Sequence, residues 1–99
     1  MGQATLIIRE RRVDGSGGIL DIKVWRVPNS VLPSRHVYKY SLYYGRDGKR
    51  LVGYDNERGK GDHIHVNGLE KAYLFTTLEK LLADFFEEVR TQEKADDKP

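Results

Sequence analysis

The chain has 99 residues, of which 38% are hydrophobic and 32% charged, and it contains no cysteine. This composition is typical of one small globular domain, and it excludes a disordered chain, disulfides and thiol catalysis. No apolar run approaches the roughly 18 to 20 residues of a membrane span, and the first residues lack the apolar segment of a signal peptide. We therefore expect a cytoplasmic protein without membrane contact.

Five segments alternate β-branched or aromatic residues with polar ones, which is the pattern of β-strands. In the second segment Leu20, Ile22 and Val24 share one face, and Trp25 lies on the other. Glycine-rich turns separate the strands, including a hairpin loop at residues 14–18. The predicted strands are residues 5–13, 19–27, 37–44, 51–54 and 62–66.

One amphipathic helix follows the strands. It is predicted to begin near Thr76, whose hydroxyl caps the first turn while Glu79 reaches back to complete a capping box. Its apolar residues recur at helical spacing and form one stripe that can pack on a sheet. They are Leu78, Leu81, Leu82, Phe85 and Val89. From residue 92 to residue 99 the chain is charged and lacks apolar anchors, which predicts a frayed tail.

Strands followed by one helix predict a single α+β domain over residues 1–91, with a five-stranded, mainly antiparallel sheet and the helix on one face. The opposite face is then exposed. Residues 1–66 carry 12 Lys and Arg against 7 Asp and Glu, whereas residues 67–99 carry 5 against 8. The basic charge therefore belongs to the strands, where it indicates an anionic partner, most commonly a nucleic acid, or equally an ordinary solvated strand face. An exposed edge strand could also pair two copies into a homodimer.

Most of the potential chemistry lies in residues 54–68. His63 and His65 are two positions apart on a predicted strand, so they point to the same face with Cβ atoms roughly 6 to 7 Å apart. A neutral imidazole can take the proton of an RNA 2′-hydroxyl, and a charged one can protonate the leaving 5′-oxygen. The pair therefore predicts RNA cleavage by acid and base catalysis, a scheme that needs no metal or other cofactor.

Neighbouring residues fit supporting roles in this scheme. Arg58 and Lys60 can neutralise charge on the phosphoryl oxygens, and Asp55 can orient one imidazole. Bases can stack on aromatic side chains, which makes Tyr54 and Trp25 candidates for substrate binding. Asn56 completes the predicted substrate-binding set.

Two other interpretations use the same histidines. His63 and His65 could ligate zinc or manganese together with Asp62 or Asp55, and His36 could join them from elsewhere in the chain. A bare His-x-His pattern is equally typical of two exposed strand residues without a function.

The triplet Tyr54-Asp55-Asn56, followed within about ten residues by His63-x-His65, resembles the TumE-like toxin components of bacterial and archaeal toxin-antitoxin modules. The strands before these motifs and the amphipathic helix after them extend the resemblance over nearly the whole chain. It implies a small cytoplasmic toxin that pairs with a DNA-binding antitoxin. Together with the histidine pair, it leads to the hypothesis of a metal-independent ribonuclease toxin. The alternatives are a non-catalytic nucleic-acid-binding module or a protein-interaction module.

Overall fold

The computed structural model describes residues 2–96 as one six-stranded antiparallel sheet and one helix. The strands lie in chain order across the sheet, and each pairs with the next. The elements are β1 (Thr5–Val13), β2 (Gly18–Arg26), β3 (Tyr38–Arg46), β4 (Lys49–Glu57), β5 (Gly61–Val66), β6 (Leu69–Ala72) and α1 (Leu78–Asp96). The predicted α+β fold is confirmed, with one strand more than expected. Within residues 2–96, no helix is both long and apolar enough to cross a membrane.

The additional strand is β6, which pairs with β5 through a tight turn. Asn67 and Gly68 both adopt positive φ, at 50° and 84°, as a type I′ hairpin turn requires. All four residues of β6 are exposed. Because neither face of the strand is buried, its sequence does not need to alternate apolar and polar side chains. The turn dipeptide Asn67-Gly68 was therefore its one clear signal in the sequence.

The core lies between one sheet face and α1. Leu20, Ile22 and Val24 of β2 are buried there, as predicted, beside Tyr40, Leu42 and Tyr44 of β3. Buried residues of β4 and β5 continue this face, and the helix supplies its apolar stripe. These residues are Val52, Tyr54, Ile64, Leu81, Phe85 and Val89. The opposite side of the sheet, here called the open face, is not covered by a helix within residues 2–96.

The helix differs from its prediction at both ends. Its cap is Thr77, whose Oγ1 accepts a hydrogen bond from the backbone N–H of Lys80 at 3.1 Å, and not Thr76. The helix continues to Asp96, and Gln92 is buried. The first part of the predicted tail is thus helical, while residues 97–99 lie outside the described residues.

A buried polar network lies beside the hydrophobic core, on the same face of the sheet. Asp62 accepts hydrogen bonds from Tyr40 Oη at 2.6 Å, His36 Nε2 at 2.7 Å and the hydroxyl of Ser34. Burial acts to raise the pKa of Asp62, but these hydrogen bonds outweigh burial and hold the pKa below its ordinary value. The network anchors the connection between β2 and β3 to β5.

Candidate functional site

The register of β4, β5 and β6 brings several predicted residues together on the open face. Asp55 lies directly across from His63, and His65 lies across from Glu70. Because side chains alternate along a strand, Asp55, His63 and His65 all point away from the helix. Lys60 reaches the same place from the β4–β5 turn. We call this group the histidine pocket and define it as Asp55, Lys60, His63, His65 and Glu70.

His63 is held at both ring nitrogens. Its side chain is 3% exposed, and its Nδ1 lies 3.0 Å from the carbonyl oxygen of Gly61. A carbonyl can only accept, so Nδ1 carries a proton and donates it. Nε2 lies 2.5 Å from Oδ1 of Asp55, without hydrogen-bond alignment, and neither atom has a hydrogen-bond partner among residues 2–96. Two acceptor atoms this close repel each other unless a proton or another cation lies between them.

His65 is the more accessible of the two histidines, with a side chain that is 15% exposed. Its ring stands at 81° to that of His63, with the ring centroids 5.0 Å apart. Burial lowers the pKa of His65, and the nearby charge of Arg50 lowers it further. His65 is therefore neutral over a wider pH range than an ordinary histidine.

Glu70 and Lys60 form the outer wall of the pocket. Lys60 Nζ lies 2.5 Å from Glu70 Oε1, and that oxygen lies 3.9 Å from Nε2 of both histidines. Their hydrogen bond raises the pKa of Lys60 and lowers that of Glu70. Glu70 was not predicted as a site residue because β6 was not predicted as a strand.

Arg50 is the second residue that the sequence did not reveal. Tyr44 pairs with Val52 but Gly45 pairs with Arg50, so Leu51 is the extra residue of a β-bulge. The bulge turns Arg50 onto the open face, where its side chain lies across Gly53. A Cβ built on Gly53 would lie only 2.9 Å from Arg50 Cδ. Since Gly53 is directly across from His65, the glycine leaves the space that brings Arg50 toward the pocket.

Three predicted residues of β4 and the β4–β5 turn lie outside the histidine pocket. Tyr54 and Asn56 belong to β4, but they alternate with Asp55 and therefore point into the core, where they are 3% and 0% exposed. The structure assigns these two side chains to the core and not to the substrate surface predicted for them. Arg58 is exposed in the β4–β5 turn.

The contacts of the two buried side chains explain their role. Asn56 Oδ1 accepts from Tyr40 N at 3.0 Å, and its Nδ2 donates to Tyr38 O at 2.8 Å. Tyr54 packs edge-on against Phe85, with ring centroids 5.7 Å apart, and burial raises its pKa to about 12. Both residues hold β4 in place and so fix the position of Asp55.

The open face outside the pocket is basic and carries an aromatic residue. Trp25 is half-buried and pairs with Lys39 on the neighbouring strand. Arg9 and Arg11 both contact Asp21, at 2.8 and 3.2 Å. A groove on this face is lined by Arg11, Ile19, Asp21, Lys23, Ser41 and Tyr43. The surface therefore combines cations with aromatic side chains, as single-stranded nucleic-acid sites do.

The metal interpretation retains only part of its predicted ligand set. Asp55, His63 and His65 offer one oxygen and two nitrogens within 4.8 Å of one another. Asp62 and His36 belong instead to the buried network on the helix side, where His36 Nδ1 accepts from Tyr38 N at 3.1 Å.

Comparison with known proteins identifies a family. A family model described as Toxin TumE matches residues 3–93, which include every strand and most of the helix. Comparison with curated proteins and with solved structures finds no significant match. The matched range covers the hydrophobic core and the histidine pocket together. The chain therefore belongs to the TumE toxin family, which implies an antitoxin partner.

Proposed function

We propose that this toxin is a metal-independent ribonuclease whose acid and base are His63 and His65. The observation that carries the proposal is the contact between Asp55, His63 and His65 on a basic, open sheet face. The carboxylate of Asp55 lies beside His63, whereas the pKa of His65 is lowered by burial, so the two neighbouring histidines have different surroundings and can take different roles. That difference is what paired acid and base catalysis requires.

In this mechanism His65 is the base. Its neutral imidazole takes the proton of an RNA 2′-hydroxyl, and the 2′-oxygen bonds to the adjacent phosphorus. The bond from phosphorus to the 5′-oxygen breaks, and the leaving oxygen takes the proton held between His63 and Asp55. The products are a 2′,3′-cyclic phosphate and a 5′-hydroxyl. Each proton transfer typically contributes about 10² to 10⁴-fold to the rate.

Cations near the pocket stabilise the charged phosphoryl group. Arg50 is exposed beside His65 and can donate two parallel hydrogen bonds to phosphate oxygens. Lys60 is also a proposed phosphate ligand, and it must leave its ion pair with Glu70 to bind the phosphate. Arg58 can approach the same phosphate from the turn, and Trp25 can stack on a base further along the open face.

The partners follow from the same surfaces. RNA is the proposed substrate, and a DNA-binding protein is the proposed form of the antitoxin, with both molecules in the cytoplasm. Leu6 and Ile7 of the edge strand β1 are 48% and 43% exposed, which supports pairing of two copies into a homodimer.

The basic open face equally favours nucleic-acid binding without cleavage, which is the competing function.

Variants of the two histidines test the proposal. Purified, tag-free protein is treated with EDTA and incubated with a mixed-sequence RNA, alongside His63→Ala and His65→Ala. His36→Gln serves as the matched control because His36 lies outside the pocket. We expect cleavage by the unaltered protein and the control, and a loss of at least about 10²-fold in folded His65→Ala. Binding without cleavage by the unaltered protein would instead favour the nucleic-acid-binding module.

A further inference from the structure

The contact between Asp55 and His63 leaves two acceptor atoms facing each other in a buried place. Oδ1 of Asp55 and Nε2 of His63 are both shielded from solvent and have no hydrogen-bond partner among residues 2–96. They lie 2.5 Å apart. Neither atom brings a proton when Asp55 is ionised and Nδ1 of His63 carries the imidazole proton. The site therefore attracts a positive species into the gap.

The tautomer of His63 is the one that metal sites use. Metal-binding histidines commonly donate their second ring N–H to a carbonyl or carboxylate, which fixes the ring and leaves the other nitrogen free as a ligand. Here Nδ1 donates to Gly61 O at 3.0 Å, and Nε2 points at Asp55. The side chain is 3% exposed, so its direction is set by packing.

His65 supplies a third donor. The ligand atoms of Asp55, His63 and His65 all lie within 4.8 Å of one another. In a tetrahedral zinc site with bonds near 2.0 to 2.1 Å, neighbouring ligand atoms are about 3.3 Å apart. Asp55 and His63 must then separate by about 0.8 Å. The Asp55 side chain is 24% exposed and can make this movement by rotating about its own bonds.

We propose that Asp55, His63 and His65 bind one zinc ion, with water as the fourth ligand, and that the metal inhibits the enzyme by replacing the proton between Asp55 and His63. Two imidazole nitrogens with one carboxylate oxygen suit zinc better than magnesium or calcium, which prefer all-oxygen ligands. The inhibitory part rests on the proposed function. A metal on Nε2 of His63 displaces the acid's proton, and a metal on His65 occupies the lone pair of the base.

Arg50 and Lys60 set the strength of this site. Lys60 is held by Glu70 at 2.5 Å, so its charge is partly neutralised. The Arg50 side chain lies over Gly53, which is directly across from His65, so its positive charge opposes a second cation. Arg50→Gln should therefore bind the metal severalfold more tightly than the unaltered protein.

Cobalt absorption tests binding independently of catalysis. EDTA-treated, tag-free protein is titrated with Co²⁺, whose visible absorption is intense in a tetrahedral site. We expect one equivalent to bind, zinc to displace it, and the absorption to disappear in Asp55→Asn and in His65→Ala but not in His36→Gln. No absorption in the unaltered protein would overturn the proposal. Equal absorption in Asp55→Asn and in the unaltered protein would also overturn it, since the metal would then lie elsewhere.

Cleavage assays on the same samples separate this proposal from the proposed function. Loss of RNA cleavage with one equivalent of zinc, reversed by EDTA, would support both. Cobalt binding without cleavage under any condition would support the metal site and remove the ribonuclease. Cleavage that one equivalent of zinc leaves unchanged would overturn the inhibition. Cleavage that requires zinc would also overturn it, together with the metal-independent mechanism.

Discussion

Replacing Gly53 with alanine tests whether the space above this glycine positions Arg50. The new Cβ would lie 2.9 Å from Arg50 Cδ, 3.3 Å from Nε and 3.4 Å from Nη1. Nonbonded carbon atoms prefer about 3.5 to 4.0 Å, so the methyl group overlaps the arginine by more than half an ångström. Arg50 is exposed and its side chain is flexible, so it should move while the backbone stays in place.

The displacement should lower cleavage with little change in stability. Loss of one positioned donor to a developing negative charge typically costs about 10² to 10³-fold in rate. Arg50→Gln removes the charge entirely and should cost about 10²-fold. Gly53→Ala should cost less, because a displaced guanidinium still lies near the phosphate. Alanine in a strand is not disfavoured relative to glycine, so the free energy of unfolding should change by less than about 1 kcal/mol.

Two measurements check this prediction. The first is the single-turnover cleavage rate of a fluorescent RNA, with Lys49→Gln as a control that removes one positive charge from the neighbouring residue. The second is an NMR titration of His65, whose pKa should rise in both variants because a nearby cation has been moved or removed. Unchanged cleavage in folded Arg50→Gln would refute the role of Arg50. An unchanged pKa of His65 would show that Arg50 does not act on the base.

Three further predictions concern stability and pH. Asn56→Ala leaves two backbone groups in the core without partners. It should lower the free energy of unfolding, measured by urea denaturation, by about 2 to 4 kcal/mol. A loss below about 1 kcal/mol would contradict the structural role of Asn56. The pKa of the base His65 is lowered from 6.5, so the cleavage rate should hold as the pH drops below 6.5 and decline only at lower pH, where the base becomes protonated. If the rate already declines on acidification at a pH above 6.5, His65 is not the base. Thr77→Ala should cost about 1 kcal/mol in thermal unfolding, because it removes the helix cap, whereas Thr76→Ala should cost little.

The sequence predicted those features that follow from regular alternation. Period-two alternation identified the core face of β2, and helical spacing identified the stripe of α1. The same alternation placed His63 and His65 on one face. These predictions succeed because a buried face must be apolar along its whole length, and this requirement is visible in the sequence as regularly spaced apolar residues.

Other features depend on pairing between strands, which alternation within one segment does not reveal. The predicted fourth strand ended at Tyr54, whereas β4 runs to Glu57, so the burial of Asn56 could not be seen. Its amide is buried because Tyr38 and Tyr40, on a neighbouring strand, supply partners for it. Arg50 reaches the pocket only because of a bulge at Leu51, and a bulge shifts every side chain on one side of it.

The most direct test of the central claim is cleavage of an RNA with a single 2′-deoxy substitution. The cleavage position is first mapped on unmodified RNA with EDTA-treated protein, and the 2′-hydroxyl that precedes the cleaved bond is then replaced by hydrogen. The proposed mechanism uses this hydroxyl as its nucleophile, so the modified RNA should resist cleavage, while unmodified RNA should yield ends with a 2′,3′-cyclic phosphate. Cleavage of both RNAs at the same rate would contradict the two-histidine mechanism, because water would then be the attacking group.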